Sequence, residues 1–254
     1  MASKDFGMIA PDYDFFVSHS SEAEQDLRAF SPELTHLGPP DRPLRVLDFG
    51  CGTGGFTEQV LKLLSWPPEL LEVSLVEPVP DQLQHAASRL ALLTTQPIGT
   101  FSTLPDKFDR PFDLIVAHHV LYYMEDLSQT LRQLKRALAP TGLMLLTMAS
   151  WQNFLMRLWQ IGYAALKRPV PHHAAEEVAA ALKQAGIEYR ETRVPYEICF
   201  PDSAENRRKI LRFLFGDLLP EIGEQNLLGE FARYVNSGQI QIATECQHLV
   251  LKGI

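Results

Sequence analysis

The stretch Val46-Leu47-Asp48-Phe49-Gly50-Cys51-Gly52-Thr53-Gly54-Gly55 decides the fold of this chain. It starts inside an apolar run, 44–49, that predicts a buried strand, and a helical pattern, 57–64, follows it. Glycines at such a strand-to-helix turn let the backbone approach a bound nucleotide closely. The N-terminus of the following helix adds unpaired N–H groups and partial positive charge. The stretch therefore predicts a nucleotide-type ligand at this turn.

Asp48 separates two classes of cofactor. A carboxylate at this strand end would repel the pyrophosphate of a dinucleotide, whereas it suits the ammonium and sulfonium groups of S-adenosylmethionine (SAM). The order Asp48-x-Gly50-x-Gly52-x-Gly54 also resembles the first motif of class I SAM-dependent methyltransferases. We therefore predict SAM, with S-adenosylhomocysteine as product, at these four residues. A dinucleotide, or a glycine turn with no ligand, remains the alternative.

The composition limits the classes of function. With 254 residues, 46% of them hydrophobic, the chain can form a full core as one domain. A formal net charge of −8 argues against nucleic acid, because its binders concentrate lysine and arginine. Cys51, Cys199 and Cys246 lack C-x-x-C spacing, so we expect reduced thiols, no metal site and a cytoplasmic location. We predict no secretion signal, no membrane contact, and a monomer or weak dimer.

Strand and helix patterns alternate after the glycine turn. This succession predicts an α/β fold, a Rossmann-like, doubly wound and mostly parallel seven-stranded sheet with a small helical cap. The predicted strands are 44–49, 71–77, 98–103, 112–118, 143–148, 187–199 and 239–251. The predicted helices beyond the glycine turn are 57–64, 81–93, 127–138, 151–166, 174–185, 201–215 and 221–234.

The N-terminal residues predict a segment of their own, 1–43. Ser21 and Glu24 have the spacing of a capping box and predict a helix to about Phe30. Pro39, Pro40 and Pro43 then mark a linker. We interpret this segment as a lid or a packing helix, and residues 44–254 as the methyltransferase domain. Cap elements are predicted at about 151–170 and 201–236.

Glu77 closes the second predicted strand. In a doubly wound nucleotide fold, an acidic residue at this point accepts hydrogen bonds from both ribose hydroxyls. A charged residue that ends an apolar strand is commonly just solvated. Because Glu77 follows a glycine loop at the expected distance, we predict that it binds the ribose of SAM.

Several short runs resemble histamine N-methyltransferase and its relatives. They are Val76-Glu77-Pro78 with Gln82, Leu121-Tyr122-Tyr123-Met124-Glu125-Asp126, His19-Ser20-Ser21-Glu22, Leu158-Trp159 and Ala185-Gly186-Ile187-Glu188-Tyr189. The resemblance covers most of the chain. It implies SAM-dependent methylation of a nitrogen in a small amine or imidazole-type acceptor.

The resemblance also implies roles for individual residues. Contacts to SAM are implied for Gly50, Glu77, Gln82, Ser102 and His118. Contacts to the acceptor are implied for Glu22, Tyr13, Tyr122, Tyr123 and Trp159. Two positions depart from the family pattern, since His119 replaces a Gln and Thr244 replaces an Asn. Both are predicted to face the acceptor, so methyl transfer is better supported than any particular acceptor.

An amine must be neutral to attack a methyl group, so some side chain should take or share its proton. Glu22 and His119 are the candidates, although His119 could equally be satisfied by a backbone carbonyl. The aromatic residues form either core or a wall for a cationic acceptor. The alternatives are an O- or C-methyltransferase of a secondary metabolite, an NAD-dependent oxidoreductase and a catalytically silent SAM-binding protein.

Overall fold

The computed structural model describes residues 9–37 and 42–253. Pro39 and Pro40 of the predicted linker lie outside the described residues. Strands and helices alternate through the middle of the chain, as the sequence predicts. The described strands are β1 Leu44–Phe49, β2 Leu71–Val76, β3 Gly99–Phe101, β4 Phe112–His118, β5 Leu138–Ala149, β6 Arg190–Pro201, β7 Val235–Asn236 and β8 Gln239–Lys252.

The helices fall between and around these strands. Those described are α1 Ala10–Ser18, α2 Glu22–Leu34, α3 Gly55–Leu64, α4 Pro80–Leu90, α5 Leu127–Ala137, α6 Phe154–Ala165, α7 Ala175–Gln184, α8 Ala204–Phe215, α9 Leu219–Ile222 and α10 Gln225–Leu228. Short 3-10 helices cover Leu121–Tyr123 and Gly229–Tyr234, among others. Within the described ranges, no helix has the length and apolar character that a bilayer-crossing segment needs.

The strands form one sheet with the order β3-β2-β1-β4-β5-β8-β6, and β7 pairs with β8 beside this path. The β2–β3, β1–β2, β1–β4 and β4–β5 pairs are parallel. The predicted Rossmann-like, mostly parallel sheet is therefore confirmed, although the described sheet has eight strands and not the predicted seven, because the short β7 pairs with β8. From β1 the chain adds β2 and β3 on one side of the sheet, and it then returns to add β4 and β5 on the other side of β1. Doubly wound folds bind ligands at the carboxyl ends of the two strands between which the order changes in this way, here β1 and β4.

The central strands are apolar on both faces because helices cover both sides of a parallel sheet. Val46 and Leu47 are adjacent in β1 and point to opposite faces, and both are fully buried. Val46 pairs with Val73 on one side and with Leu114 on the other. This continuous burial fixes the register that brings the ends of β1, β2 and β4 to one edge.

The predicted helix 221–234 is wrong. The chain there divides into α9, α10 and the 3-10 helix Gly229–Tyr234, and it then forms the hairpin of β7 and β8. Gly223, with φ +80°, ends α9. Ser237 and Gly238 both have left-handed φ values, 50° and 77°, as a two-residue hairpin turn requires. Side-chain periodicity alone did not reveal these breaks.

The ends of two predicted helices are also corrected. α2 continues to Leu34 with Pro32 inside it, instead of ending near Phe30. Ser21 does not cap this helix through its side chain, because its Oγ accepts the N–H of Glu197 at 3.0 Å. The predicted helix 151–166 begins only at Phe154, because the side chain of Asn153 accepts the N–H of Leu155 at 2.9 Å.

The chain divides into two compact units. The first unit comprises residues 1–25, 149–172 and 193–246, and the second comprises 26–148, 173–192 and 247–254. Both predicted cap elements fall in the first unit. The predicted N-terminal segment, 1–43, divides between the two units after residue 25. The predicted boundary at residue 44, between a lid segment and the methyltransferase domain, therefore stays a prediction.

Each unit has its own core. In the second unit, apolar side chains of β1, β2, α3 and α4 pack around the central strands together with Phe30 and Leu34. In the first unit, the rings of Phe16 and Phe213 stack with centroids 5.0 Å apart. A bidentate ion pair between Arg212 and Asp12, with both N–O distances 2.9 Å, joins α8 to α1 beside this stack.

Candidate functional site

The loop between β1 and α3 has no room for a side chain at its first glycine. A Cβ added to Gly50 would lie 2.1 Å from Cγ2 of Val120. Gly50, Gly52 and Gly54 have φ values of 74°, 52° and 76°, a region that other residues rarely adopt. Gly54 is also the N-cap of α3. The sequence thus places three glycines where the backbone conformation requires them, at the carboxyl end of β1.

Asp48 is buried at the end of β1. Oγ1 of Thr57, in the first turn of α3, donates a 2.6 Å hydrogen bond to Oδ2 of Asp48. Burial raises the pKa of Asp48 to about 7. The hydrogen bond from Thr57 lowers this pKa, and the charge of Glu77 raises it further. The structure therefore places this carboxylate where it ties the strand to the helix. Its predicted contact with SAM stays a prediction.

Glu77 lies directly after β2 and anchors the same loop. Oε2 accepts the N–H of Gly52 and Oε1 accepts the N–H of Val79, both at 3.0 Å. Burial is the main cause that raises the pKa of Glu77 above its usual value, and the two N–H groups act against it. Because both oxygens are held by backbone groups, the carboxylate has one fixed orientation at the edge of the sheet.

Two further residues predicted to bind SAM lie at the same edge. Gln82 is in the first turn of α4, and its Oε1 would be 3.7 Å from a Cβ added to Gly52. Ser102 directly follows β3 and is exposed. The structure thus brings Gln82 against the glycine loop and leaves Ser102 at the end of the neighbouring strand. Their contacts with SAM stay predictions.

Three histidines surround one carboxylate in the second unit. Asp26 of α2 is fully buried, and its Oδ1 lies 2.7 Å from Nε2 of His248 in β8. Its Oδ2 lies 2.8 Å from Nε2 of His118 and 3.3 Å from Nε2 of His119. Burial alone would raise the pKa of Asp26, but the three imidazoles hold it well below its usual value. Asp26 is therefore a buried carboxylate ion. We call these four residues the histidine cluster.

His118 ends β4 and is held from two sides. Its ring stacks on Phe56 of α3, with ring centres 3.7 Å apart and planes 3° from parallel. Burial lowers the pKa of His118 to about 4, and the neighbouring His119 adds to this effect. His118 is therefore neutral near pH 7. Its predicted contact with SAM remains a prediction, and the structure shows its Nε2 directed at Asp26.

His119 has a left-handed backbone conformation, φ +53°. Such conformations cost of the order of 1–3 kcal/mol and are concentrated at functional sites. The N–H of His119 donates to the carbonyl of Thr147 in β5 at 3.1 Å, and its Nδ1 lies 2.8 Å from the hydroxyl of Tyr122. Tyr122 is buried and its ring lies 5.9 Å from that of Tyr123, which is partly exposed. His119 is thus held at both ring nitrogens.

Glu22, which is predicted to bind the acceptor, lies in the first unit at the end of a chain of hydrogen bonds. Asn153 Nδ2 donates to the hydroxyl of the buried Tyr196 at 3.0 Å. The pKa of Tyr196 is raised well above its usual value, first by burial and then by the charge of Glu22, to which its hydroxyl is also hydrogen-bonded. Asn153, Tyr196 and Glu22 therefore form a chain of hydrogen bonds that ends at a carboxylate.

Tyr13 lies near the same carboxylate. The pKa of Tyr13 is raised to about 12, chiefly by desolvation of its hydroxyl and further by the charges of Glu22 and Asp14. The residue as a whole is 41% exposed, so its exposed surface lies away from the hydroxyl. This arrangement brings Tyr13 and Glu22 close together, and their predicted contacts with the acceptor stay predictions.

Trp159 and Thr244 have structural partners in the first unit. Trp159 is buried, and its Nε1 donates to the carbonyl of Leu214 at 3.1 Å. The hydroxyl of Thr244 accepts the N–H of Phe154 at 3.1 Å and so satisfies the first turn of α6. Their predicted contacts with the acceptor stay predictions.

Sequence reasoning missed Asp26, His248 and Tyr196. Asp26, Phe30 and Leu34 are four residues apart on α2, and all three are buried. A charged residue in a series of buried positions was the signal that could have identified Asp26. His248 likewise interrupts the apolar end of β8. Tyr196 gave no comparable signal, because an aromatic residue is ordinary in a strand.

Comparison with known proteins decides the family. Residues 22–192, more than half of the chain, match the family described as Methyltransferase domain. The chain belongs to the class I SAM-dependent methyltransferases. The methyltransferase is 24% identical to histamine N-methyltransferase of Xenopus tropicalis over 234 residues, which cover 83% of this chain and 80% of that protein. The predicted family and cofactor are confirmed, and the oxidoreductase alternative is excluded.

Two further similarities describe the range of relatives. The methyltransferase is 29% identical over 192 residues to a polyketide synthase-nonribosomal peptide synthetase of Aspergillus clavatus. That match covers 69% of this chain but 5% of the far longer synthase. Among solved structures, the YcgJ protein of Bacillus subtilis has a TM-score of 0.57 at 15% identity, with 91% of this chain and 99% of that one covered. This likeness supports the fold alone.

The second unit fits SAM. The left-handed glycines keep the loop free of side chains, and Gly50 has no space for a Cβ. The fixed carboxylate of Glu77 at the end of β2 suits ribose hydroxyls, which are hydrogen-bond donors. In their ionised forms, Asp48 and Glu77 also add negative charge near the loop, which favours a cationic cofactor over a phosphorylated one.

We expect an Asp48→Asn substitution to stabilise the protein above pH 7. The folded pKa of about 7 exceeds the reference value of 3.8, so ionisation opposes folding. The stability that the protonated carboxyl confers is complete below pH 4 and is lost as the pH rises to 7. Asn cannot ionise and can still accept the hydrogen bond of Thr57. At pH 8 the variant should gain about 1–3 kcal/mol.

Urea unfolding at pH 5 and pH 8 measures this difference. Asp109→Asn, which alters an exposed carboxylate, is the matched control and should show no comparable pH-dependent gain. If the Asp48→Asn and unaltered proteins lose stability in parallel between pH 5 and pH 8, Asp48 does not titrate as described. SAM titration of the same variant shows how much this carboxylate contributes to binding.

Proposed function

We propose that this methyltransferase methylates a nitrogen of a small amine or imidazole-type acceptor. The observation that carries the proposal is the carboxylate of Glu22, which receives a hydrogen bond from the buried Tyr196. An ionised carboxylate held in a fixed orientation is suited to bind a cationic amine. The similarity to histamine N-methyltransferase over most of the chain supports the same class of acceptor.

Bound SAM supplies an electrophilic methyl group with a good leaving group. The residues of this chain must therefore orient the acceptor, exclude water and manage its proton. In our proposal, Glu22 binds the amine and Tyr13, Tyr123 and Trp159 provide aromatic surface for it. His119, whose imidazole is held between a carboxylate and a hydroxyl, accepts or shares the amine proton. Thr244 is proposed to contribute a polar contact.

We expect Glu22→Gln to raise the KM for the acceptor or lower kcat about tenfold or more. The substitution removes the charge but keeps the shape, and a charge-assisted hydrogen bond contributes about 1.5–3 kcal/mol. SAM affinity should stay unchanged, because Glu22 is proposed to contact the acceptor. Steady-state kinetics and SAM titration of the one variant measure both quantities.

Glu24→Gln is the matched control. Glu24 is an exposed acidic residue in the same first turn of α2, so its loss alters the helix dipole interaction equally. Its kinetics should match those of the unaltered enzyme. If Glu22→Gln behaves like Glu24→Gln, Glu22 serves only the helix and the proposed acceptor site is wrong.

An oxygen or carbon acceptor is the second candidate, and the similarity to part of a polyketide synthase-nonribosomal peptide synthetase favours it. A panel of amines, imidazoles, phenols and activated methylene compounds with radiolabelled SAM separates the candidates. Turnover of only phenols or carbon acids would replace the N-methyltransferase proposal. A protein that binds SAM but methylates none of them would be a silent SAM-binding protein. A cytoplasmic location and a monomeric or weakly dimeric state stay predictions.

A further inference from the structure

The histidine cluster determines which ring nitrogen of His119 carries hydrogen. Asp26 is ionised, and an ionised carboxylate can only accept hydrogen bonds. Each Nε2 atom that faces it is therefore a donor, including that of His119 at 3.3 Å. Neutral His119 consequently has a lone pair at Nδ1. The hydroxyl of Tyr122, 2.8 Å away, donates its proton to that lone pair.

We propose that Asp26, His119 and Tyr122 form a proton relay in which the Tyr122 oxygen takes the proton of the acceptor. The inference rests on the proposed function, because only an acceptor that must lose a proton needs a relay. Tyr122 is the catalytic residue, His119 shares the proton of the acceptor through Tyr122 and not by direct contact, and Asp26 is the positioning residue. The serine hydrolase triad has the same sequence of groups, a hydroxyl, an imidazole and a carboxylate, and here the phenol hydroxyl of Tyr122 replaces the serine hydroxyl.

The acceptor binds as a cation, and before methyl transfer one of its N–H bonds breaks with the electron pair left on nitrogen, so that this pair can attack the methyl group. The proton forms an O–H bond at Tyr122, while the original hydroxyl proton of Tyr122 moves to Nδ1 of His119. The resulting imidazolium ion is stabilised by the carboxylate of Asp26. The side chain of His119 is 18% exposed, so it can release the proton to water; that of His118 is exposed to nearly the same extent, 17%, but the ring hydrogen-bonded to Tyr122 is that of His119.

The other two histidines hold the carboxylate in place. His248 is 2% exposed in its side chain, and its ring stacks on Phe30 at 4.0 Å. His118 is fixed by Phe56 and is neutral near pH 7. Because His118 remains uncharged, it does not compete with His119 for the proton. Two imidazoles thus orient Asp26, and the third connects it to Tyr122.

The backbone also orients His119. Its left-handed φ and the hydrogen bond from its N–H to the Thr147 carbonyl fix the ring between Asp26 and Tyr122. A histidine with a merely structural role would need one such partner. Here both nitrogens have partners of opposite kind, a carboxylate that only accepts and a hydroxyl that donates. This polarity is what a relay requires.

Nitrogen-15 NMR of the imidazole rings tests the relay in the free protein. We expect His119 as the Nε2–H tautomer, its signals identified by their loss in His119→Asn. In Asp26→Asn, the amide cannot accept three N–H groups, and we expect His119 to shift towards the Nδ1–H form. His173 is the internal reference, because its Nε2 donates to the carbonyl of Met124 at 2.8 Å in either protein. Nδ1–H in unaltered His119 would overturn the relay.

Kinetics test the same relay at Tyr122. Tyr122→Phe should lower kcat by about 100-fold or more with little change in the KM for the acceptor or in SAM affinity. Tyr189→Phe, the same change at a partly exposed tyrosine that is not part of the proposed relay, is the control. A kcat for Tyr122→Phe within twofold of the control would overturn the proposal, even if Asp26→Asn failed to fold. Absence of N-methylation would refute the proposed function, whereas a wrong tautomer with normal methylation would refute only the relay.

Discussion

We expect the Glu77→Ala variant to bind SAM about 30- to 150-fold more weakly than the unaltered protein, a loss of roughly 2–3 kcal/mol. Two effects add. The ribose hydroxyls lose an ionised acceptor, and the N–H groups of Gly52 and Val79 lose the carboxylate that holds them. Calorimetric titration with SAM and S-adenosylhomocysteine measures the change, and both ligands should be affected because they share the ribose.

Glu69→Ala controls for the loss of negative charge. Glu69 is an exposed carboxylate in the same unit, so its removal alters long-range electrostatics without touching the loop. Its SAM affinity should change less than twofold, since exposed charges are largely screened. Equal affinities for Glu77→Ala and Glu69→Ala, with Glu77→Ala folded by circular dichroism, would remove Glu77 from the ribose site.

We expect Gly50→Ala to lower the free energy of unfolding by about 2–5 kcal/mol. The left-handed conformation costs a residue with a Cβ about 1–2 kcal/mol. The overlap with Val120 adds about 1–3 kcal/mol, because Cγ2 would lie 2.1 Å from the new atom. Relief of that overlap must move the loop, so SAM binding should also fall at least about tenfold.

Gly186→Ala separates these two costs. Gly186 has nearly the same conformation, φ +65°, but no atom lies within 4 Å of an added Cβ. It should therefore show the conformational cost alone, and its SAM affinity should be unchanged. Urea unfolding of both variants gives the difference. If Gly50→Ala is no less stable than Gly186→Ala, the loop accommodates a side chain and its close packing against Val120 is not essential.

The cofactor half of the site could be predicted because its signals are local. The strand-to-helix turn after β1 contains Asp48, Gly50 and Gly54, and its backbone conformation sets their spacing. Glu77 was predicted from the strand before it and from its distance to the glycines. The alternation of apolar strands and amphipathic helices similarly specified the parallel sheet. Each of these inferences needed only neighbours in sequence.

The histidine cluster could not be predicted in this way. Asp26, His119 and His248 belong to α2, the end of β4 and β8, and only the fold brings them together. Asp26 shares a helix face with Phe30 and Leu34, but it also lies in a polar run, Glu24-Gln25-Asp26, which is typical of an exposed helix surface. Hydrogen bonds between distant residues depend on register and burial, and neither can be read from one stretch. His119 was predicted as a base, but its carboxylate partner and its link to Tyr122 were not.

The position of β8 has a consequence for biosynthesis. In the sheet order β8 lies between β5 and β6, yet it is the last described strand to be translated. At about 5–20 residues per second, the roughly 90 residues between Ala149 and Gln239 take about 5–18 s to synthesise. Throughout that interval the apolar strand β5 has an unpaired edge, which can pair with other chains. We therefore expect a nascent chain on the ribosome to need chaperones until β8 emerges, and slow translation of this interval to favour aggregation.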